Sequence, residues 1–313
     1  MYGQFFMLFG LILVGYYCNK KGYLTAETNK NMGGMVMHVL IPAMLVTTIA
    51  NIEITDQLLK GFFFSAAGQA AMMIGFGFFM RFYGRWRKVD STLLPMLDLT
   101  TGSLNTGFIG LPVTMIFFGD AGIIYMSAGV LALNLYLWSY GVYVISGKKS
   151  KNIAELGQSF LKGAINPNCI AILLGLALTM TRAVTFLPEV LMGFLTKVGD
   201  LATPLSLIYV GALAGGSGLT KLLQAKLALE ISLVKMLAMP ALAMLFLAFI
   251  PADGLAKSVF LLSISMPAAV VVPMMVGRYG TGEKMSSDIV LWTTLISMVT
   301  LPLSVWLAKG LYF

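Results

Sequence analysis

Ten stretches of this chain are each apolar enough and long enough to enter a lipid bilayer, and they leave little of it over. They lie at roughly 3–18, 28–50, 58–82, 91–118, 121–146, 166–182, 187–214, 225–250, 254–279 and 284–309. A hydrocarbon core takes about 20 mostly apolar residues per helix. Only 11% of the 313 residues are charged, against about 25% in a soluble domain. With no water at that depth, backbone N–H and C=O groups must pair within their own segment. The expected fold is therefore an all-α membrane protein of ten transmembrane helices.

The gaps between segments set the orientation. Lys20 and Lys21, then Arg81, Arg85, Arg87 and Lys88, then Lys148, Lys149, Lys151 and Lys162, then Lys221 and Lys226, then Arg278 and Lys284 fall in alternate gaps. The other gaps carry Glu53 and Asp56, Asp120, Arg182 with Glu189, and Asp253 with Lys257. Basic residues stay on the cytoplasmic side. That makes the chain a multi-pass protein of the cell membrane (the inner membrane of a bacterium), with both termini extracytoplasmic. The same placement explains the net charge of +8 without nucleic acid. The apolar run at the N-terminus has no basic flank or cleavage site and reads as a retained helix. The longer gap, 147–165, spaces Ile153, Leu156, Phe160 and Leu161 as an amphipathic surface helix would, or is a solvated linker.

Two of the apolar segments are broken by helix-disrupting residues. The first reads Ser103-Leu-Asn-Thr-Gly-Phe-Ile-Gly-Leu-Pro112 and the second Ser265-Met-Pro-Ala-Ala-Val-Val-Val-Pro273. Pro112 to Pro273 is 161 residues, as is Gly119 to Gly280, and Pro42 precedes Pro204 by 162. The halves, 1–146 and 166–313, thus read as repeats. Five segments is an odd number, so the second repeat enters the membrane inverted. Proline costs about 3 kcal/mol inside a helix. Non-helical backbone at membrane depth persists only where it is buried in protein or lines a cavity. Matched breaks of this kind point to a transport site, where half-helix N-termini attract anions and C-termini attract cations.

These residues resemble a known family. The Ser103–Pro112 run followed by Phe117-Phe-Gly119 is similar to the fourth-helix motif of the auxin efflux carrier family. Met266–Pro273 followed by Arg278-Tyr-Gly280 is similar to its ninth, and Leu40–Leu45 and Gly199–Pro204 look like its second and seventh. The family includes plant auxin exporters and carriers of malate, malonate and related anions, and is similar in fold to bile acid–sodium symporters. The resemblance implies that helices four and nine cross. It also implies a scaffold of helices 1, 2, 6 and 7 (1–56 and 166–220), often dimeric, so that a homodimer is the expected assembly. A mobile transport domain (57–146 and 221–313) completes the picture. Two departures separate this chain from plant exporters: it lacks their long cytoplasmic loop, and the Gln-Gly pair between the prolines of segment nine.

The candidate substrate-binding residues are Asn105, Thr106, Gly107 and Pro112 at the first break. At the second they are Pro267, Ala268, Ala269, Val270 and Pro273. Thr47, Thr48 and Asn51 follow Pro42 and are candidates for the scaffold side of a pathway. Charge inside a membrane is costly and marks function, so Asp98, Gln69, Glu230 and His38 are coupling candidates. Asp98 lies two turns before Asn105 on the same helical face, and a Na⁺ near Asp98 and Ser103 is one expectation. A Lys197–Asp200 pair is expected at a membrane edge.

The expected function is secondary transport of a small organic anion, a mono- or dicarboxylate, by elevator-type alternating access. A non-transporting membrane sensor is the alternative. No nucleophile, paired-histidine or P-loop motif argues for an enzyme or an ATP-driven pump. With two cysteines and one histidine, no zinc site or other cofactor is expected. Na⁺, H⁺ or neither remain open as the coupling ion.

Overall fold

The computed structural model describes residues 2–146, 165–216, 219–250, 252–280 and 282–312, so the expected surface helix at 147–165 lies outside the described residues but for its last position. Every regular element among them is helical. In chain order these are α1 (Tyr2–Lys20), α2 (Ala26–Met35), α3 (Ile41–Ala50), α4 (Asp56–Trp86), α5 (Leu94–Gly102), α6 (Leu111–Tyr136) and α7 (Val142–Ser146). There follow α8 (Pro167–Met180), α9 (Glu189–Asp200), α10 (Ala202–Gly216), α11 (Leu219–Gln224), α12 (Lys226–Ala248), α13 (Gly254–Ile264), α14 (Val272–Arg278) and α15 (Glu283–Tyr312). Short π-helical stretches at Val36–Leu40, Thr106–Gly110 and Leu137–Gly141 interrupt the α-helical runs.

Among the described residues six helical stretches are long and apolar enough to cross a membrane: Ala26–Ala50, Asp56–Trp86, Leu94–Ser146, Glu189–Gly216, Lys226–Ala248 and Glu283–Tyr312. Pro167–Met180 and Gly254–Ile264 are shorter apolar helices. Leu94–Ser146 holds 53 residues, roughly 80 Å if it ran straight at 1.5 Å per residue, far beyond a bilayer. It does not run straight. Gly119, with φ 63° and ψ −161°, kinks the chain where an L side chain would be strained. Segments four and five of the sequence are therefore separate helical stretches.

Packing pairs each half of the chain with the other. α1 lies along α10 and α3 along α8. Gly15 faces the Ile208 carbonyl and Gly211 the Ile12 carbonyl, so the first pair touches backbone to backbone, as small residues allow between membrane helices. Thr179 donates from α8 to the Ile49 carbonyl of α3 at 2.7 Å. Elsewhere α4 packs on α5, α6 and α13, and α15 on α12, α13 and α14. The outward faces carry exposed Phe6, Phe78, Phe82, Leu237, Leu245 and Trp306, the inverse of a water-soluble surface.

Prolines mark helix starts more than breaks. Pro95, Pro167 and Pro273 sit in a first turn, where the missing N–H has no partner to lose, while Pro42 and Pro112 each follow a π stretch within a continuous helical run. Pro240 and Pro302 lie inside α12 and α15 without ending them.

Candidate functional site

The two breaks meet. α5 ends at Gly102, and Ser103–Asn105 run non-helically into the π stretch that precedes α6. α13 ends at Ile264, and the chain is irregular from Ser265 to Val271 before α14. The Asn105 N–H donates to the Pro267 carbonyl at 2.8 Å, and the Ala269 N–H to Ser103 Oγ at 3.1 Å. The Ala268 N–H donates to Thr293 Oγ1 on α15 at 3.1 Å. Backbone freed by one break is thus satisfied by the other, which answers the accounting that hydrocarbon demands. Ser103, Leu104, Asn105, Thr106, Gly107, Ala268 and Ala269 are all buried.

Within the expected break Ser103–Pro112, the non-helical residues are Ser103–Asn105, and Pro112 belongs to the restarted helix. Val270 is half-buried and Pro267 buried in the second break, while Pro273 opens α14.

The site's first side chains are polar and partly unused. Asn105 caps the π stretch, and its amide Nδ2 has no partner in the protein. The Thr106 hydroxyl is also unpartnered. Both are buried beside the start of a helix, whose first N–H groups lack intrahelical acceptors. These are the ingredients of an anion site: donors without acceptors at a positive helix end. Across from them, Gly107 faces Met37 and Ile41, and Phe108 stacks on Tyr209 of α10 with ring centroids 4.6 Å apart. Ile109 closes a cleft with Leu8, Ile12, Val210, Thr294 and Ser297.

The opposite side of the first break carries a cation of segment eight that is not among the site candidates read from the sequence. Lys235 of α12 is 1% exposed, and its ammonium donates to the Thr101 carbonyl at 2.7 Å and the Ser103 carbonyl at 2.9 Å. A weaker contact to Met239 Sδ at 3.7 Å takes its third proton. A charge of this kind is placed where a negative helix end receives it. The signal was available: a lysine well inside an apolar segment has few reasons to be there.

The other candidates separate. Asp98 and Ser103 are not brought into one donor set. Ser103 Oγ donates to the Thr100 carbonyl at 2.8 Å and accepts from Ala269, while Asp98 turns away toward α4 and the Leu137–Gly141 stretch. Its Oδ2 accepts from the Tyr140 hydroxyl at 2.9 Å and lies 3.5 Å from Arg81 Nη1. Gln69 is buried between α4 and α13, accepts from the Ser263 hydroxyl, and leaves Nε2 unpartnered. Glu230 accepts from Tyr83 and forms a two-pronged pair with Arg87, Nε to Oε1 and Nη2 to Oε2 both 2.6 Å. It is a strut between α4 and α12, away from the breaks. His38 is exposed in the π stretch before α3 and does not reach the crossing. Lys197 and Asp200 form no ion pair; Arg81–Asp98 and Arg87–Glu230 are the ion pairs among the described residues.

Thr47 donates back to the Ala43 carbonyl at 2.9 Å, the habit of a helical threonine, and Thr48 is half-buried. Asn51, bonded to the Thr47 carbonyl at 2.8 Å, lines an open cavity of about 860 Å³ with Glu53, Thr55, Thr179, Arg182 and Thr185. Among the described residues no group of three His, Cys, Asp or Glu side chains could hold a metal ion.

The sequence matches the family model described as "Membrane transport protein" over residues 1–306. It is 25% identical over 298 residues to a protein of Methanothermobacter thermautotrophicus named "Uncharacterized transporter", covering 94% of this chain and 93% of that one. A protein of Methanocaldococcus jannaschii, also named as an uncharacterized transporter, is 22% identical over 309 residues, covering 95% of each.

Proposed function

The chain belongs to the membrane transport protein family, that of the auxin efflux carriers, and from that premise we propose that it is a secondary transporter of a small organic anion, a mono- or dicarboxylate, bound where the two breaks cross. One observation carries the reading. Asn105 Nδ2 and Thr106 Oγ1 are buried and unpartnered at the start of a helix. Buried donors are normally satisfied, and leaving one unmade costs about 1–3 kcal/mol. A carboxylate would take up both and would face the helix end with its charge.

Lys235 shapes the same site without binding the anion itself. Its protons are spent on the carbonyls of Thr101 and Ser103 and on Met239. It neutralises the negative end of α5, so that no mobile Na⁺ is required there, and it leaves a net positive field for an anion on the other side of the break. The scaffold and transport division follows from the packing. α1 with α10 and α3 with α8 form one body, each pairing the first apolar segment of one half with the second of the other. That reciprocal pairing supports two inverted five-helix repeats and ten passes. The Phe108–Tyr209 stack and the cleft at Ile109 lie between this body and the crossing, where an elevator movement would slide. The cavity at Asn51 and Arg182 is then an extracytoplasmic vestibule, under the orientation the basic gaps give. A homodimer through the scaffold is the assembly expected of this family.

Purified protein in proteoliposomes tests the reading by counterflow of radiolabelled malate, malonate and indole-3-acetate. Counterflow of at least one, competed by the unlabelled compound, is expected. Binding without flux, or neither, would overturn it.

A further inference from the structure

We propose that Asp98 is a proton-binding site and that the proton it carries is the coupling ion of transport. The inference rests on the transport reading above but stands on a different part of the molecule. Asp98 is 0% exposed, and its Oδ1 has no hydrogen-bond partner. An ionised carboxylate offers about four acceptor positions, and here the protein fills one with the Tyr140 hydroxyl and approaches another with Arg81 at 3.5 Å. An uncompensated anionic oxygen in the interior is expensive, and adding a proton to it removes the charge.

The surroundings are built for a change of state rather than for a fixed ion pair. Arg81 is half-buried, with its guanidinium side chain 29% exposed, and its Nε is unpartnered. It can close on a charged Asp98 or extend toward the nearby membrane edge when Asp98 is neutral, as long cationic side chains do. Tyr140 sits in the π-helical stretch Leu137–Gly141, and such stretches inside helices recur at functional positions. Its hydroxyl donates to a carboxylate and can equally accept from a carboxylic acid. Gly77 of α4 packs directly against Asp98 Oδ1, leaving no room for a side chain there, so that oxygen is enclosed and still lacks a donor.

The neighbours can be named element by element. α4 presents Arg81, and α6 with the π stretch presents Tyr136, whose hydroxyl donates to the Asp98 carbonyl, and Tyr140. α12 presents Lys235, one turn along at the Thr101 carbonyl. α15 reaches α5 through the neutral pair Thr100–Ser286 at 2.9 Å, and Gly282 rests on Leu93 and Met96. α14 also packs on α5, and none of its side chains bonds to Asp98. α5, which carries Asp98, ends at Gly102, three residues before Asn105, so a change of charge there acts on the short helix that leads into the anion donors. The coordination is too poor for a metal ion, since one carboxylate and one phenol do not make a Na⁺ shell.

Two readouts separate this from a structural ion pair. Infrared difference spectra of the purified protein between about pH 5 and about pH 8 should show a buried carboxylic-acid carbonyl band that is missing in Asp98→Asn. In Tyr140→Phe the carboxylate loses its donor, so the band should persist to higher pH. Proteoliposomes supplied from outside with radiolabelled malate, malonate or indole-3-acetate give the second readout. An inward proton gradient should drive accumulation in the wild type, up to about tenfold per pH unit for one proton per substrate. Asp98→Asn should lose that accumulation and keep counterflow. A band unchanged in Asp98→Asn, or gradient-driven accumulation surviving in it, would overturn the proposal. Absence of wild-type counterflow for all three compounds would instead overturn the transport reading, and the infrared band would still decide the proton site.

Discussion

The two breaks occupy corresponding places in the two halves and are built from opposite chemistry. At the first, Ser103, Asn105 and Thr106 bring side-chain donors, and a buried lysine covers the carbonyl end. At the second, Pro267, Ala268, Ala269, Val270 and Val271 bring only backbone. The Ala269 and Ala268 amides are spent on Ser103 and Thr293, and the neighbouring polar group is the neutral Gln69, held by Ser263. Under the proposed function, the first break recognises the ligand and the second braces the crossing. A site made this way has a head and a floor, which two equivalent breaks would lack.

That contrast can be broken from its strongest point downward. Lys235→Met should have the largest effect. It strands the carbonyls of Thr101 and Ser103, at about 1–3 kcal/mol for each unsatisfied group, and should abolish counterflow. Thermal unfolding in detergent should show a lowered midpoint that Na⁺, but not choline, partly restores, because the vacated place then suits a small cation. If the midpoint does not move, Lys235 is not the cap of α5.

Asn105→Ala comes next. It deletes an unpartnered amide while keeping the N–H that bonds Pro267, so the protein should fold normally. Hydrogen bonds to charged groups are worth about 1.5–3 kcal/mol, which is about tenfold to a hundredfold in carboxylate affinity by ligand-dependent thermal shift. Val270→Ala, the control in the second break, should change affinity by less than about threefold. Equal losses from the two would erase the distinction between them.

Thr293→Val tests the floor. It removes the acceptor of the Ala268 N–H and should cost stability by about 1–3 kcal/mol with ligand affinity nearly unchanged, read from the unfolding midpoint and the thermal shift of the same sample. Glu230→Gln should be smallest. It weakens a half-exposed pair with Arg87 that salt screens, so the unfolding midpoint should barely move. A large loss there would move the function toward the α4–α12 strut.

Much of this frame is visible in the sequence, and the reasons it is visible are also the limits. Apolar length and basic gaps locate the segments because lipid and water treat them so differently. The turn at Gly119 falls between two segments already separated by Asp120. The meeting of the breaks was an expectation from the family likeness, and the Asn105–Pro267 and Ala269–Ser103 bonds give it atoms. What the sequence left open is where within Ser103–Pro112 the helix stops. It stops at Ser103–Asn105, which carries no proline, and Pro112 is accommodated in the restarted helix after the π stretch. Pro240 and Pro302 show the converse, prolines inside continuous helices. Partners across the fold were out of reach. Spacing put Asp98 and Asn105 on one helical face, but Arg81 and Tyr140 pull Asp98 toward α4. Glu230 and Lys235 are five residues apart, and they serve a surface pair and a buried cap respectively.

The central claim is that a carboxylate rests against Asn105 and Thr106 at the crossing. A structure of the protein determined with malonate or indole-3-acetate bound tests it most directly. The account predicts a carboxylate oxygen about 3 Å from Asn105 Nδ2 and Thr106 Oγ1, with Lys235 still on the carbonyls of Thr101 and Ser103. A carboxylate seated instead on Arg182 in the open cavity, or on Lys235 itself with those carbonyls released, would contradict it.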